Sequence, residues 1–527
     1  MDTYPDLPEN MGALLDGLCE SRPDDLAWVF FERDLEVSFR ELRDTVNRAA
    51  NALTEAGVSK GTHVAIMSGN SLEYCSCWLA LARIGAVQIS VNARYTSHEL
   101  AYVLDDSDAE IFICDQNSIE VARRLQTWPA RLSLDQVIVF DVQSPVVGRA
   151  WSALIDGKPS EFVPAQDVGL DDLLNIQYTS GTTGFPKGCM LSQRFWLHSA
   201  AVLRDELNFQ LKRVIYNQNF FYMDGPFLTS VCLLAGATFY IADKPSAAKF
   251  MGWVRRYKIQ YCFFFEALYK LPEAADDADN SFELIQTFGF NRANHVDLER
   301  RYGTIAREAF GMTECGAALS MPESATHMVG SGSCGAPIAT RKAQLMDDAG
   351  KQVAQGEIGE LWLKGPGMMQ GYYNKPEATA ETLRDGWLCT GDLCRRDDQG
   401  YYYIVGRKKD MIRRNAENIA CREVEEAVRS MDAIVEVAAV AVPDERVGEE
   451  VKIYVQLQEG FTPEDVPPSA ILAFCEQRLA VFKMPRYVEY RAAFPMTDSA
   501  RVEKKKVIAE SEDLREYSYD RVDGVWR

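Results

Sequence analysis

The pattern of apolar and polar residues alternates between two types over residues 27–114. Short apolar runs such as His63–Met67 and Ile111–Cys114 end at turn residues, which is typical of buried strands. The longer stretches between such runs, 40–56 and Leu72–Ile84, have the length of helices. Strands that alternate with helices in this way predict a doubly wound α/β sheet.

The next apolar run, 173–176, opens a second predicted α/β unit and leads into a loop of small and polar residues. The glycine, hydroxyl and lysine residues of this loop are Thr179, Ser180, Gly181, Thr182, Thr183, Gly184 and Lys187. Small residues let backbone N–H groups approach an anion, hydroxyls add donors, and the lysine adds a positive charge. The spacing of the Walker loop is absent. A flexible linker is the alternative, but the loop stands between ordered segments, so we predict that it holds a polyphosphate.

Composition and charge narrow the class of protein. With 527 residues, 47% of them hydrophobic, the chain is expected to form at least two ordered domains. The net charge of −21 disfavours nucleic acid and anionic lipid as partners. The first residues lack the basic and apolar regions typical of a signal peptide, so we expect none, and no apolar run is long enough to span a bilayer. Because the 13 cysteines are scattered without zinc-site spacing, we predict a protein of the reducing cytoplasm without a structural metal. Without a long apolar run, we expect no membrane insertion.

The loop at 178–192 resembles the phosphate loop of the adenylate-forming superfamily, which includes acyl-CoA synthetases, luciferases and the adenylation domains of peptide synthetases. Three later blocks are also similar: Phe-Gly-Met-Thr-Glu at 310–314, Thr-Gly-Asp at 390–392 and Gly-Arg at 406–407. The spacing of these blocks along the chain makes the resemblance specific. It places the chain in the acyl-CoA synthetase branch.

The resemblance implies functions for the residues of these blocks. Glu314 would supply an oxygen to Mg²⁺, with Thr183 as a second ligand. Thr313 would contact the α-phosphate of ATP, Asp392 the ribose hydroxyls, and Arg407 both ribose and phosphate. The predicted catalytic residues are Lys187, Thr313, Glu314, Arg501 and Lys504.

The resemblance also implies two domains. An N-terminal adenylation domain of doubly wound sheet subdomains is predicted over 1–407, and a small mobile α+β lid over 408–527, with Lys409 at the hinge. Near its end the chain departs from the family pattern. The lysine that spans the carboxylate and the α-phosphate during adenylation is replaced by Arg501, which keeps the charge but differs in shape, and Lys504 is the alternative for this role.

In the family that this chain resembles, two segments flank the acyl group. The matching segments of this chain supply the predicted substrate pocket residues Tyr222, Asp224, Gly289, Phe290 and Asn291. Tyr222 stands where the family has a histidine, and the segment 287–291 is predicted as a strand with a following loop. The aromatic residues of both segments could equally belong to the core. With the phenylalanine run at 263–265, they favour a small or ring-bearing acid over a long chain.

Three functions remain open from the sequence. The first is a carboxylate–CoA ligase that uses ATP, Mg²⁺ and CoA, forms an acyl-adenylate with release of pyrophosphate, and then a thioester. In the second, an amine accepts the acyl group, with Asp224 as the base; Ala416, where the family has a glycine in the pantetheine tunnel, favours this. The third is a non-enzymatic ATP-binding protein, suggested by Arg501. A homodimer is left open.

Overall fold

The computed structural model describes residues 6–125, 127–179, 186–414, 417–479, 481–497 and 501–527, without the side chains of Lys409, Arg413, Glu417 and Asn418. These residues form two compact units. The N-terminal unit comprises the described parts of Met1–Gly181, Phe185–Ala343 and Leu363–Leu388. The C-terminal unit comprises the described parts of Gln344–Trp362 and Cys389–Arg527. The predicted domain boundary between residues 407 and 408 stays a prediction.

The strands of the described chain are β1 (Leu26–Phe30), β2 (Leu35–Ser38), β3 (His63–Met67), β4 (Val87–Ser90), β5 (Ile111–Cys114), β6 (Val137–Val139), β7 (Arg149–Ala150), β8 (Leu173–Thr179), β9 (Lys187–Ser192), β10 (Arg213–Tyr216), β11 (Thr238–Ile241), β12 (Tyr261–Phe263), β13 (Leu284–Thr287), β14 (Ile305–Met312), β15 (Gly316–Ser320), β16 (Ala336–Pro337), β17 (Lys342–Met346), β18 (Ile358–Lys364), β19 (Leu383–Arg384), β20 (Trp387–Arg396), β21 (Tyr402–Arg407), β22 (Met411–Arg414), β23 (Glu417–Ala420), β24 (Ile434–Asp444), β25 (Gly448–Leu457), β26 (Tyr487–Tyr490), β27 (Tyr519–Asp520) and β28 (Val525–Trp526).

The α-helices are α1 (Met11–Ser21), α2 (Phe39–Glu55), α3 (Leu72–Ile84), α4 (Ser97–Asp106), α5 (Gln116–Ala122), α6 (Trp151–Ile155), α7 (Gln193–Glu206), α8 (Asp224–Ala235), α9 (Ala247–Tyr257), α10 (Glu266–Tyr269), α11 (Arg292–Tyr302), α12 (Pro376–Thr382), α13 (Cys421–Arg429), α14 (Pro468–Glu476) and α15 (Lys504–Ala509). None of the described helices is both long and apolar enough to cross a bilayer.

Local signals in the sequence fix the ends of several helices. Ser38 and Glu41 form a reciprocal capping box at the start of α2. Ser71 accepts a hydrogen bond from the backbone N–H of Tyr74 and so caps α3. Gly85 ends α3 with a φ of 82°, a conformation that glycine adopts without steric cost. The bounds predicted for β3, α3 and β5 are confirmed because these signals are local.

Two large sheets form the framework of the N-terminal unit. One has the order β16-β15-β14-β13-β12-β10-β11-β1-β2, and its central strands from β14 to β1 run parallel. The other has the order β7-β6-β5-β3-β4-β8-β9 and is parallel except for the β8–β9 hairpin. Connections through helices produce this parallel pairing. The predicted α/β class is confirmed.

The second sheet is covered by α3 and α7, whose tryptophans pack edge to face. The ring centroids of Trp78 and Trp196 are 5.8 Å apart with an interplanar angle of 86°. The indole N–H of Trp78 donates to Oδ1 of Asn175 on β8 at 2.9 Å. All three side chains are buried, so they fix β8 against the helical layer immediately before the phosphate loop.

The C-terminal unit has its own sheet and core. Its strands follow the order β23-β22-β25-β26-β27-β28, and β24 pairs with β25 in a long hairpin. Helices α13 and α14 cover one face of this sheet with buried Val424, Val428 and Leu472 against Ile453 of β25. A mixed sheet with helices on one face is the predicted α+β architecture.

One predicted strand is misplaced. Residues 287–291 were expected to be extended, but β13 ends at Thr287 and Gly289 adopts a φ of 64°. The carboxylate of Glu308 on the neighbouring β14 accepts hydrogen bonds from the backbone N–H groups of both Gly289 and Phe290. These contacts with a residue distant in sequence turn the chain away from the sheet, and the strand prediction is wrong there.

Candidate nucleotide and acyl site

The predicted phosphate loop is carried by the β8–β9 hairpin. Thr179 and Lys187 pair directly at the end of the hairpin that carries the loop. Ser180, Gly181, Thr182, Thr183 and Gly184 lie outside the described residues. The hydroxyl of Tyr178 donates to Asp106 at 3.0 Å, and the hydroxyl of Tyr102 donates to the carbonyl of Pro186 at 3.0 Å. Helix α4 therefore holds the hairpin on both sides of the loop.

Lys187 and Glu314 lie against the same aromatic ring. The Nζ of Lys187 is 4.0 Å from the ring centroid of Tyr372, within the range of a cation–π interaction. The hydroxyl of Tyr372 donates to Oε1 of Glu314 at 2.8 Å. Burial, and then the charge of Glu314, raises the pKa of Tyr372. The phenol is therefore a neutral donor that joins two predicted catalytic residues.

Backbone pairing with β9 places Tyr372 in this position. The N–H of Met190 donates to the carbonyl of Gly371, and the N–H of Tyr373 donates to the carbonyl of Gly188, each at 2.9 Å. None of the sequence motifs pointed to Tyr372. The signal was the tyrosine pair itself, because a buried phenol requires a hydrogen-bond partner.

Glu314 lies in the tight turn between β14 and β15, next to the partly buried Thr313. Gly311 is needed there because an added Cβ would lie 2.6 Å from the carbonyl oxygen of Gly316. The carbonyl of Glu314 accepts from the N–H of Met369 at 2.9 Å. Its carboxylate Oε2 has no hydrogen-bond partner within the described ranges. A fixed carboxylate with one unused oxygen suits the hard ligand set of Mg²⁺.

The predicted ribose residues meet in the C-terminal unit. Asp392 on β20 pairs with Arg407 on β21 across the antiparallel ladder, and Arg407 Nε lies 2.8 Å from Asp392 Oδ1. Asp392 is buried, while its backbone N–H donates to Oγ1 of Thr390 at 3.0 Å. Arg407 is more than a third exposed along its side chain. Arg407 is therefore the accessible member of the pair.

A second charged pair supports this arrangement. Buried Glu360 accepts from the N–H of Gly391 at 3.1 Å and from Nζ of Lys408 at 3.0 Å. Lys408 also lies 2.9 Å from Asp348. Lys408 thus has two carboxylate partners, and the neighbouring Lys409, the predicted hinge residue, has its side chain outside the described residues.

The two candidates for the lid cation have different environments in the C-terminal unit. Nζ of Lys504 lies 2.7 Å from the carboxylate of Glu425, and its side chain is 19% exposed. Arg501 is exposed, but nearby protein removes part of the water around its guanidinium group. This desolvation, followed by the positive charge of Arg407, lowers the pKa of Arg501. Asp392 acts in the opposite direction on Arg501. Arg501 is thus the cation that is electrostatically coupled to the predicted ribose residues.

Tyr222 and Asp224 lie together at the start of α8. Tyr222 is half-buried and its ring lies 4.5 Å from that of Phe221. Asp224 is the first residue of the helix, and its carboxylate makes no ion pair with any described residue. Desolvation by the surrounding protein raises the pKa of Asp224 to about 6.

The other predicted pocket residues have mainly structural contacts. Phe290 packs in the core against Tyr269 and His295, with ring centroids 5.5 and 6.2 Å away. Asn291 caps α11 by accepting from the N–H of Ala293. Gly289 is exposed. Strands β22 and β23 pair antiparallel, and Ala416 lies outside the described residues.

Comparison with known families decides the identity of the chain. The family described as AMP-binding enzyme matches residues 16–373, and its C-terminal domain matches residues 423–501. This chain belongs to the family of AMP-binding enzymes. The acyl-CoA synthetase branch expected from the motifs is confirmed.

Curated relatives and solved structures match nearly the whole chain. Crotonobetaine/carnitine–CoA ligase of Citrobacter koseri is 29% identical over 525 residues, covering 95% of this chain and 99% of the relative. The Escherichia coli enzyme of the same name is 30% identical over 490 residues, covering 89% and 92%. ATP-bound MatB from Rhodopseudomonas palustris has a TM-score of 0.84 at 27% identity, covering 96% of this chain and 99% of that structure.

Proposed function

We propose that Lys187, Tyr372 and Glu314 organise the adenylation step of this acid–thiol ligase. As a member of the acyl-CoA synthetase branch, the enzyme activates a carboxylate with ATP, releases pyrophosphate and transfers the acyl group to CoA. The alternative transfer to an amine is not favoured, because the curated relatives described above are CoA ligases.

The placement of Tyr372 between the two charges carries this proposal. Lys187 and Glu314 would form an ion pair if they met directly, and neither charge would then be available to bind the substrate. The ring faces the ammonium group while the hydroxyl binds one carboxylate oxygen, so the two charges are held apart. Lys187 stays available for phosphate oxygens, and Glu314 keeps its second oxygen for a cation.

The roles proposed for the remaining groups follow from the negative charge that develops on the phosphate during the reaction. A carboxylate oxygen attacks the α-phosphorus in line, and negative charge builds on the phosphate oxygens. Thr313 offers a hydroxyl there, and Lys187 stabilises the departing pyrophosphate. Mg²⁺ held by Glu314 and Thr183 would neutralise further phosphate charge. Each of these assignments places a donor or cation where charge accumulates.

In the C-terminal unit we assign ribose binding to Asp392 and Arg407, and the lid cation to Arg501. Lys504 is less suitable for that role because its ammonium group is engaged by Glu425 at 2.7 Å. Arg501 has no comparable ion pair among the described residues and is exposed. A guanidinium can contact carboxylate and phosphate oxygens together.

The substrate is proposed to be a small carboxylic acid. Crotonobetaine and carnitine, which name the curated relatives, are the first candidates. A cytoplasmic location and a homodimer stay predictions from the sequence.

Pyrophosphate release tests the proposal. The full chain is incubated with ATP, Mg²⁺ and single acids, with and without CoA, and the product is identified by mass. Lys187→Met and Glu314→Gln are expected to reduce adenylation by about a hundredfold or more. Lys351→Met removes an exposed lysine elsewhere and serves as the control. Unchanged pyrophosphate release in both site variants would refute the assignment.

A further inference from the structure

Asp224 has surroundings that are unusual for a carboxylate. It lies at the start of α8, which follows β10, and is only partly accessible. Within the described part of the chain its carboxylate makes no ion pair and no hydrogen bond with another side chain, and the only hydrogen-bond donor to it is its own backbone N–H. A carboxylate in such a place is costly unless a positive charge accompanies it.

Aromatic rings lie at the same edge of the sheet. Phe227 is three residues after Asp224, on the same face of α8. Its ring is nearly parallel to that of Phe263, with centroids 6.0 Å apart, and the ring of Phe263 lies 4.8 Å from that of Phe288. Phe263 ends β12 and Phe288 follows β13, so these rings lie at the carboxyl edge of neighbouring parallel strands.

The carboxyl edge of parallel strands is where open α/β sheets bind ligands. The rings there are not all sealed in the core: Phe263 is half-buried and Phe288 is 43% exposed. Tyr222, two residues before Asp224, is also half-buried. Solvent-reachable aromatic faces at the same sheet edge as a carboxylate without an ion pair among the described residues provide the chemistry that binds quaternary ammonium groups.

We infer that Asp224 and the aromatic residues Tyr222, Phe263 and Phe288 form a subsite for a cationic group, and that the enzyme prefers small acids that carry a quaternary ammonium at the end opposite the carboxylate. The inference rests on the proposed function, in which a small carboxylic acid is the substrate, and on the prediction that Tyr222 and Asp224 belong to its pocket. The desolvation that raises the pKa of Asp224 supports it, because a bound cation would offset the cost of holding the carboxylate charged in this place. The first-turn position of Asp224 on a helix of twelve residues provides a structural alternative.

A matched pair of acids separates charge from shape. 4-(Trimethylammonio)butanoate carries the cation, and 5,5-dimethylhexanoate has the same branching with carbon in place of nitrogen. Wild-type enzyme is expected to show a kcat/KM for the cationic acid at least about tenfold above that for the neutral acid, measured by pyrophosphate release. Equal values, or a preference for the neutral acid, would overturn the inference while leaving the ligase function intact. Absence of turnover with every acid would refute the proposed function instead.

Asp224→Asn tests the role of the charge. It keeps the side-chain size and is expected to lower kcat/KM for the cationic acid by about tenfold or more relative to kcat/KM for the neutral acid. An equal loss with both acids would support the structural alternative and contradict a cation subsite. If this variant fails to fold, Phe288→Leu removes an exposed ring instead, and the same selective loss of kcat/KM for the cationic acid is expected.

Tetramethylammonium provides a test on the wild-type enzyme. It should inhibit competitively against the acid, and the absence of inhibition would count against the subsite.

Discussion

Arg407 Nε lies 2.8 Å from Oδ1 of Asp392, and the two residues face each other across the β20–β21 ladder. Thr390 and Glu360 fix the adjacent backbone through hydrogen bonds to the N–H groups of Asp392 and Gly391. A carboxylate held in one orientation can accept two ribose hydroxyls without losing side-chain entropy on binding. The pair is thus preorganised within a single unit of the protein.

Asp392→Ala is therefore expected to raise the KM for ATP by about tenfold or more, because the hydroxyl acceptor and the partner of Arg407 are lost together. Initial rates of pyrophosphate release over a range of ATP concentrations measure this effect. Asp398→Asn, in the turn that joins the same two strands, changes an exposed carboxylate and is the control. An unchanged KM in Asp392→Ala would contradict the ribose assignment.

Removal of the hydroxyl of Tyr372 separates its two contacts. Tyr372→Phe keeps the ring beneath Lys187 but releases Glu314, so we expect a loss of about tenfold in kcat/KM for ATP and a higher Mg²⁺ requirement. Tyr372→Leu removes the ring as well and should lose more. Titration of the initial rate with Mg²⁺ at fixed ATP measures the first effect.

The neighbouring Tyr373 offers a matched control. Its hydroxyl donates to Asp108 at 2.9 Å, so Tyr373→Phe also removes a hydrogen bond to a carboxylate. Both variants should lose about 1 to 2 kcal/mol of unfolding free energy in urea. Only Tyr372→Phe should change the Mg²⁺ dependence. Parallel effects of both variants on activity would mean that Tyr372 acts through stability alone.

Arg501 and Lys504 should have separable effects. Arg501→Ala is expected to slow adenylation by about a hundredfold, and Arg501→Lys to retain most of the rate, because the positive charge is kept. Lys504→Met leaves the carboxylate of Glu425 without its partner and should lower stability while adenylation remains near wild type. Single-turnover formation of the acyl-adenylate and urea unfolding measure the two quantities. A large adenylation defect in Lys504→Met alone would reverse the assignment.

The raised pKa of Asp224 predicts a pH-dependent stability. Its ordinary value is 3.8 and burial raises it to about 6, so between these values the folded protein holds a proton that the unfolded chain has lost. Stability from this group therefore falls as the pH rises through that window. Asp224→Asn is expected to stabilise the free enzyme by about 1 to 2 kcal/mol at pH 7.5, after allowance for partial solvent access, and by little at pH 4. Urea unfolding at both values checks the difference, and the same gain at both pH values would contradict it.

Several features of the fold follow directly from the sequence. The bounds of β3, α3 and β5 come from short apolar runs and from the cap residues Ser71 and Gly85, which act within a few positions. The strand predicted at 287–291 is wrong because Glu308, on another strand, binds the backbone N–H groups there. Hydrogen bonds between distant residues leave no periodic signal in the sequence.

The sequence by itself determined the family and the reaction class, because phosphate binding needs a continuous run of glycines, hydroxyls and a lysine, as at 178–192, whatever surrounds it. Only the tertiary structure decided which side chains support that chemistry. Tyr372 reaches Glu314 across 58 positions, and Lys504 meets Glu425 rather than remaining free. Such pairings arise from the packing of whole strands and helices, so no local pattern specifies them.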